Sequence, residues 1–217
     1  MLRATMGETR DPIGVVLAGG AGRRIGGGKA VVELRGIPLV RYPVRALQAV
    51  LAEVVVVAKP ESELPPLPGV PIWIEPEEPR HPLAGIVHAL EGAGAAMGIA
   101  GAGREILVCA GDLPFVSPEL VERLLRLDAG GAPAVVPHAA GRLQPLLARY
   151  APAAHAPLAA ALASAAEPPP SLTDTVTALD PLVVDLPDAL PFFNVNAPED
   201  LLTAAGLLDR GGGPWSG

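Results

Sequence analysis

An apolar run, Val15-Val16-Leu17-Ala18, passes directly into Gly19-Gly20-Ala21-Gly22 and then into the cations Arg23, Arg24 and Lys29. Glycines let successive backbone N–H groups close around an anion without interference from Cβ. Arg24 and Lys29 add the formal charge that a triphosphate needs. Leu17, Ala18, Gly19, Gly20, Gly22 and Lys29 are therefore candidate nucleotide-binding residues, and Arg24 and Lys29 are candidate catalytic cations. A second chemical group follows another apolar run, Ile106-Leu107-Val108-Cys109. Asp112 ends it with no cation nearby in sequence, and Leu113-Pro114 turns the chain at once. A carboxylate so placed suits Mg²⁺, which takes few protein oxygens and fills its octahedron with phosphates and water. The alternative is a turn aspartate bonded to its own backbone.

Spacing separates the common phosphate cradles. A Walker loop needs a glycine five residues before its Gly-Lys pair and a Ser or Thr after it. At Gly28-Lys29 those positions hold Arg23 and Ala30, so the pattern fails twice. A dinucleotide fingerprint fits loosely as Gly20-x-Gly22-x-x-x-Gly26, but charges crowd the loop and no ribose-binding acid stands about 20 residues on. A nicotinamide- or flavin-dependent oxidoreductase is thus the lesser reading, and a purely flexible glycine loop is the bland one.

Leu17-Ala18-Gly19-Gly20, with Arg24 and Lys29 downstream, resembles the signature of the nucleoside triphosphate transferases, and the Gly-Gly form is most similar to the molybdenum cofactor guanylyltransferases. The similarity continues through Pro82-Leu83-Ala84-Gly85-Ile86, Cys109 to Val116, Gln144 to Ala148 and Phe193 to Leu201, in order and near spacing. The resemblance implies a Rossmann-like, glycosyltransferase-A-type fold, GTP as donor, molybdenum-molybdopterin as acceptor and Mg²⁺ as cofactor. A molybdoenzyme or its chaperone is an implied partner. Within that pattern Asn196 matches the position that orients the metal or the acceptor, although it also stands where it could cap the last helix. Glu75 is the nearest match by spacing to an aspartate that precedes the Pro-Leu-Ala-Gly segment, which adds it to the nucleotide-binding set. Asp112 is the implied metal ligand and catalytic carboxylate.

The chain departs from the guanylyltransferase pattern in three places. Gly26-Gly27-Gly28-Lys29 is one residue short and lacks an Asp before the lysine; Val57-Ala58-Lys59 lacks an asparagine; and Glu75 replaces an aspartate. These positions bear on the base, so a cytidylyltransferase of the same pathway or a sugar-phosphate nucleotidyltransferase stands as the alternative. A non-catalytic nucleotide sensor is the alternative of a different class.

With 217 residues, half of them hydrophobic, the chain suits one domain with a large core. The expected domain spans 12–208, with flexible tails at 1–11 and 209–217. A net charge of −7 argues against a broad nucleic-acid surface, so any phosphate contact must be local. The single cysteine, Cys109, excludes an intrachain disulfide and a thiolate cluster. No secretory leader pattern and no apolar run of membrane-spanning length is visible, which makes the cytoplasm the expected location. The 26 prolines and 25 glycines gather at element ends and read as punctuation rather than disorder.

The elements that must position these groups alternate. Strands are expected at Ile13–Ala18, Glu53–Ala58, Val70–Ile74, Ile106–Ala110 and Ala134–Pro137, and helices at Leu39–Ala52, Leu83–Ala96 and Pro118–Leu127. An Ala-rich helix is expected over Ala153–Ala166, a short helix after Ser171, a late strand near Val183 and a final helix from Pro198. Uninterrupted apolar strands imply coverage on both faces. The fold class is therefore a single-domain α/β protein, a three-layer α/β/α arrangement around a mostly parallel sheet, with ligands at the carboxyl ends of the strands. The four histidines show no metal-ligand spacing and read as surface or loop residues. Lys59, Arg80 and Arg142 could meet an acceptor phosphate, but each singly reads as a solvated charge.

Overall fold

The computed structural model describes residues 11–20, 28–95, 103–164 and 170–210. Its centre is built from three valine-rich strands whose side chains alternate between two cores. In β1 (Ile13–Leu17), β4 (Val54–Ala58) and β6 (Ile106–Ala110), nearly every residue is buried. Val16, Val54, Val56, Leu107 and Cys109 face one core, while Ile13, Val15, Val55, Val57, Ile106 and Val108 face the other. This two-sided burial is why the strands lack polar alternation.

Helices cover both faces. α1 (Arg41–Gln48) and α3 (Pro118–Arg126) supply Val44, Leu47, Val121 and Leu124 to the first core. α2 (Pro82–Ala95), α4 (His155–Leu162) and α5 (Leu172–Thr177) supply Ile86, Leu90, Leu158 and Val176 to the second. Serine side chains cap two of the helices: Ser117 accepts from Leu120 N–H and Ser171 from Asp174 N–H.

β4 and β6 flank β1 in parallel, and β5 (Ile72–Ile74) extends the parallel set beyond β4. On the other side β9 (Leu147–Tyr150) enters antiparallel between β6 and β7 (Ala134–Ala139). β10 (Leu182–Asp185) then pairs parallel to β7, and the short β8 (Arg142–Leu143) folds back on β7. Among the described residues the path is β10-β7-β9-β6-β1-β4-β5. The mostly parallel three-layer α/β/α expectation holds, with one antiparallel strand inside the sheet.

Several boundaries differ from the sequence expectations for local reasons. Leu39 N–H donates to Val32 O, and α1 begins at Arg41 rather than Leu39. The Ala-rich helix begins as a 3₁₀ turn at Pro152–Ala154, and α4 proper ends at Leu162. Neither β9 nor the hairpin of β2 (Glu33–Leu34) and β3 (Ile37–Pro38) was expected. That hairpin, Phe115, Val195 and α6 (Pro198–Asp209) form a third small core against Tyr42, whose hydroxyl donates to Leu34 O at 2.6 Å. α6 reaches Asp209, which Arg35 binds, so this helix enters the residues expected as a tail.

Candidate active site

The carboxyl ends of β1 and β6 lie side by side. Leu17 pairs with Ala110, and Gly111 N–H donates to Leu17 O at 2.9 Å, so the glycine segment and Asp112 leave the sheet at the same edge. Ala18 N–H still bonds Val57 O at 2.8 Å, which ties the start of the glycine segment to β4. Asp112 O in turn accepts from Val195 N–H at 3.0 Å. That single backbone bond brings Asn196 beside Asp112, although 84 positions separate them in sequence (196 − 112).

Lys29 joins the two. Its Nζ donates to Asp112 Oδ2 and, at 2.6 Å, to Asn196 Oδ1. Lys29 arrives there from Gly28, which turns the chain at φ +47°, and Gly28 O accepts from Val31 N–H. Both charged side chains are largely enclosed, with 16% exposure for Lys29 and 17% for Asp112. Asp112 therefore spends its carboxylate on Lys29, not on its own backbone. Asn196 does not cap the last helix with its side chain either. Ala197 is the N-cap, and Asp200 Oδ2 accepts from the N–H groups of Asn196 and Ala197 at 2.8 and 2.9 Å.

A cavity of about 450 Å³ opens beside this cluster, a size suited to a small organic ligand. Leu17, Ala18, Gly19, Gly20, Lys29, Glu75 and Asp112 all line it. Of the residues picked from sequence, Asn196 joins through Lys29, whereas Gly22 and Arg24 lie outside the described residues. A Cβ at Gly19 would come within 2.6 Å of Glu75 Oε1, so any side chain there would have to displace that carboxylate.

Glu75 is buried at 6% exposure, and its Oε2 has no hydrogen-bond partner. Burial pushes the carboxyl pKa up, and the neighbouring Lys59 charge pulls it part of the way back. Lys59 corrects a sequence expectation. It is no solvated charge but is 5% exposed, with Nζ donating to Pro76 O at 2.5 Å and Pro79 O at 3.1 Å.

Arg80 and His81 also line the cavity. Arg80 is engaged by Glu61 at 3.0 Å and Glu78 at 3.2 Å, so its charge is already shared. Arg142 sits exposed on β8 and does not line the cavity. His81 precedes α2, and its Nδ1 accepts from Leu83 N–H at 3.2 Å, which leaves the proton of the neutral ring on Nε2. Burial lowers its pKa, favouring that neutral form. Sequence reasoning missed Lys59 and His81 because each looked like an isolated polar residue in a loop; only the fold encloses them.

The chemistry of this cluster is anion binding with a hard-oxygen pocket. Asp112 and Asn196 direct two oxygens at one cation, the donor set that Mg²⁺ accepts. Among the described residues no group of three or more His, Cys, Asp or Glu converges for metal binding, which excludes an all-protein metal cage there. No helix of the described residues is long and apolar enough to cross a membrane.

Comparison with known proteins places this architecture. Residues 14–174 match the model of the MobA-like NTP transferase domain. The chain is 35% identical over 199 residues to a molybdenum cofactor guanylyltransferase of Cereibacter sphaeroides, covering 91% of this chain and 97% of that protein. It is 31% identical over 208 residues to a probable molybdenum cofactor guanylyltransferase of Thermococcus kodakarensis, with 91% and 96% covered. Among solved structures, molybdopterin-guanine dinucleotide biosynthesis protein A of Archaeoglobus fulgidus superposes with a TM-score of 0.69 at 26% identity, covering 91% of this chain and 99% of that one. The 2-C-methyl-D-erythritol 4-phosphate cytidylyltransferase of Thermus thermophilus shares the fold at a TM-score of 0.62 and 23% identity, with 90% and 98% covered.

Proposed function

The chain belongs to the MobA-like NTP transferase domain family, and from that premise we propose that it transfers GMP from GTP to the terminal phosphate of molybdenum-molybdopterin, yielding molybdopterin guanine dinucleotide and pyrophosphate. It is a nucleotidyltransferase, and the observation that carries the residue roles is the convergence of Lys29, Asp112 and Asn196 beside a cavity that Lys29, Asp112 and Glu75 line.

In this reading the base lies in the cavity, with Leu17, Ala18 and Glu75 around it and the triphosphate over Gly19 and Gly20. Lys29 exchanges carboxylate and amide oxygens for phosphate oxygens as nucleotide enters. By the sequence resemblance Gly22 joins the nucleotide-binding set and Arg24 the catalytic cations. An oxygen of the acceptor phosphate attacks the α-phosphorus, the bond between the α-phosphorus and the bridging oxygen breaks, and that oxygen leaves with pyrophosphate. A phosphate monoester has its second pKa near about 6, so the nucleophile is already ionised and no protein base is required. The protein's work is positioning and charge. Lys29 offsets the negative charge that grows on the departing pyrophosphate.

Asp112 and Asn196 would hold Mg²⁺, which when bound supplies a second positive charge to the phosphate oxygens. Arg80 is the candidate for meeting the acceptor, since it lines the cavity on an exposed loop. A cytoplasmic location and a molybdoenzyme or chaperone as recipient fit the product.

The test is pyrophosphate release with each of the four ribonucleoside triphosphates and metallated molybdopterin. The expected result is release with GTP that depends on acceptor and Mg²⁺. Release with CTP in preference would move the chain to the cytidylyl branch, and nucleotide binding without release would make it a sensor.

A further inference from the structure

Glu75 and Lys59 form a buried pair that the transfer chemistry does not use. Lys59 follows the end of β4 and lies beneath the loop from β5 to α2, its ammonium 3.5 Å from Glu75 Oε2. Its other contacts are the carbonyls of Pro76 and Pro79, on the same loop as Glu75. Gly19 and Gly85 approach Glu75 from the first loop and from α2. Oε2 is thus buried between Lys59 and Gly85 without a hydrogen bond of its own, on a side chain that lines the cavity.

We propose that Lys59 sets the base preference of this site as a positioning residue, holding Glu75 as an anionic acceptor for the donor edge of a purine. The proposal rests on the reading of the cavity as a GTP site. A carboxylate is acceptor-only, and it complements the adjacent N1–H and 2-amino N–H donors of guanine. A carboxylic acid presents one donor and one acceptor, the complement of adenine's N1 and 6-amino group. The proton on Glu75 therefore removes the match to guanine's two adjacent donors and creates one to adenine, so it lowers the preference for guanine. Burial favours that proton, and Lys59 opposes it. The other charged groups that face Glu75 are His88 on α2 and Glu61 beyond Lys59; a protonated His88 would assist Lys59 and Glu61 opposes it.

The experiment is calorimetric titration of Mg-GTP and Mg-ATP into the full-length protein from pH 6 to 8.5. The two ligands carry the same triphosphate, so titration of phosphates and of groups around them cancels in the affinity ratio. Wild type is expected to favour GTP by about tenfold or more at neutral pH. In Lys59→Met and Lys59→Gln the ratio at pH 7 should fall about tenfold and recover as pH rises and Glu75 ionises. Glutamine keeps a donor for the loop carbonyls without the charge, so it separates tethering from electrostatics. His88→Asn should leave the wild-type profile in place, which assigns the pH dependence to Glu75. In Glu75→Gln the ratio should be low and independent of pH. Should Lys59→Met fail to fold, Lys59→Gln still decides. A wild-type ratio in Lys59→Gln at every pH overturns the proposal. Retention of full GTP preference by Glu75→Gln overturns the underlying reading of Glu75 as a base contact instead.

Discussion

Lys29 carries one positive charge, and two oxygens from distant parts of the chain, on Asp112 and Asn196, share it. In the proposed reaction Asp112 would hold the metal while Lys29 meets phosphate, so Asp112 and Lys29 have separable roles. Asp112→Asn keeps the shape but removes the anion. Turnover is expected to fall at least about a hundredfold, the scale for losing one preorganised electrostatic contact, with the melting temperature close to wild type. Normal turnover of Asp112→Asn at limiting Mg²⁺ would instead leave Asp112 as a partner of Lys29 alone. Lys29→Ala should lower kcat more than it weakens GTP binding, because a cation on the leaving pyrophosphate gains strength as charge develops. The measurement is a pair: steady-state kinetics for kcat and calorimetry for Kd. Equal losses in both would mean that Lys29 only anchors the ground state.

At the scale of elements, α2 carries a pH-sensitive start. His81 Nδ1 accepts from Leu83 N–H only while the ring nitrogen is unprotonated, and burial holds the His81 pKa below its ordinary value. The native state then binds fewer protons than the unfolded chain, so this contribution is complete above the unfolded pKa and is lost as pH falls through the folded one. Glu75, with its raised pKa, works in the opposite direction on acidification. Replacing His81 by Asn, a capping residue without a titration, leaves Glu75 unchanged and isolates the histidine. Denaturant unfolding should show wild type losing about 1 kcal/mol more than His81→Asn between pH 7 and pH 5, the typical worth of an N-cap. Identical slopes would show that the imidazole is not the cap that matters.

The elements also show what a linear sequence can disclose. β1, β4 and β6 were legible because strands covered on both faces have no polar interruptions; Lys29 and Asp112 were picked out by residue type, and Asn196 only through the family resemblance. Their mutual bonding was not, since contacts across 83 and 167 positions depend on how β1 and β6 pair and on where α6 returns. β9 was obscured by Arg149, a charge in the middle of Leu147-Ala148-Arg149-Tyr150 that alternation reads as solvent-facing. Lys59 misled in the same way, because a long aliphatic stem can bury when its ammonium finds carbonyls.

For the whole molecule, Arg149 is the point where the antiparallel strand is fastened to the outer layer. It pairs in register with Leu107 of β6 and Val135 of β7, is 6% exposed, and donates from Nη1 to Leu125 O and from Nη2 to Leu127 O, each at 2.7 Å. Those carbonyls belong to the end of α3, where a helix leaves its last C=O groups without intrahelical partners. Glu105 stands 3.6 Å from Nε and balances part of the charge. Arg149→Met preserves much of the stem's packing but strands two enclosed carbonyls, each costing about 1–3 kcal/mol if water cannot reach it. We expect a loss near the lower end of the summed range, about 2–3 kcal/mol, in denaturant unfolding. Arg149 does not line the cavity, and its pairing with Leu107 lies toward the start of β6, away from the Ala110 end that leads to Asp112. KM for GTP should therefore be unchanged at temperatures where the variant remains folded. A large rise in KM without loss of stability would mean that β9 transmits strain to the site, and that the sheet edge is less independent of its far end than these contacts imply.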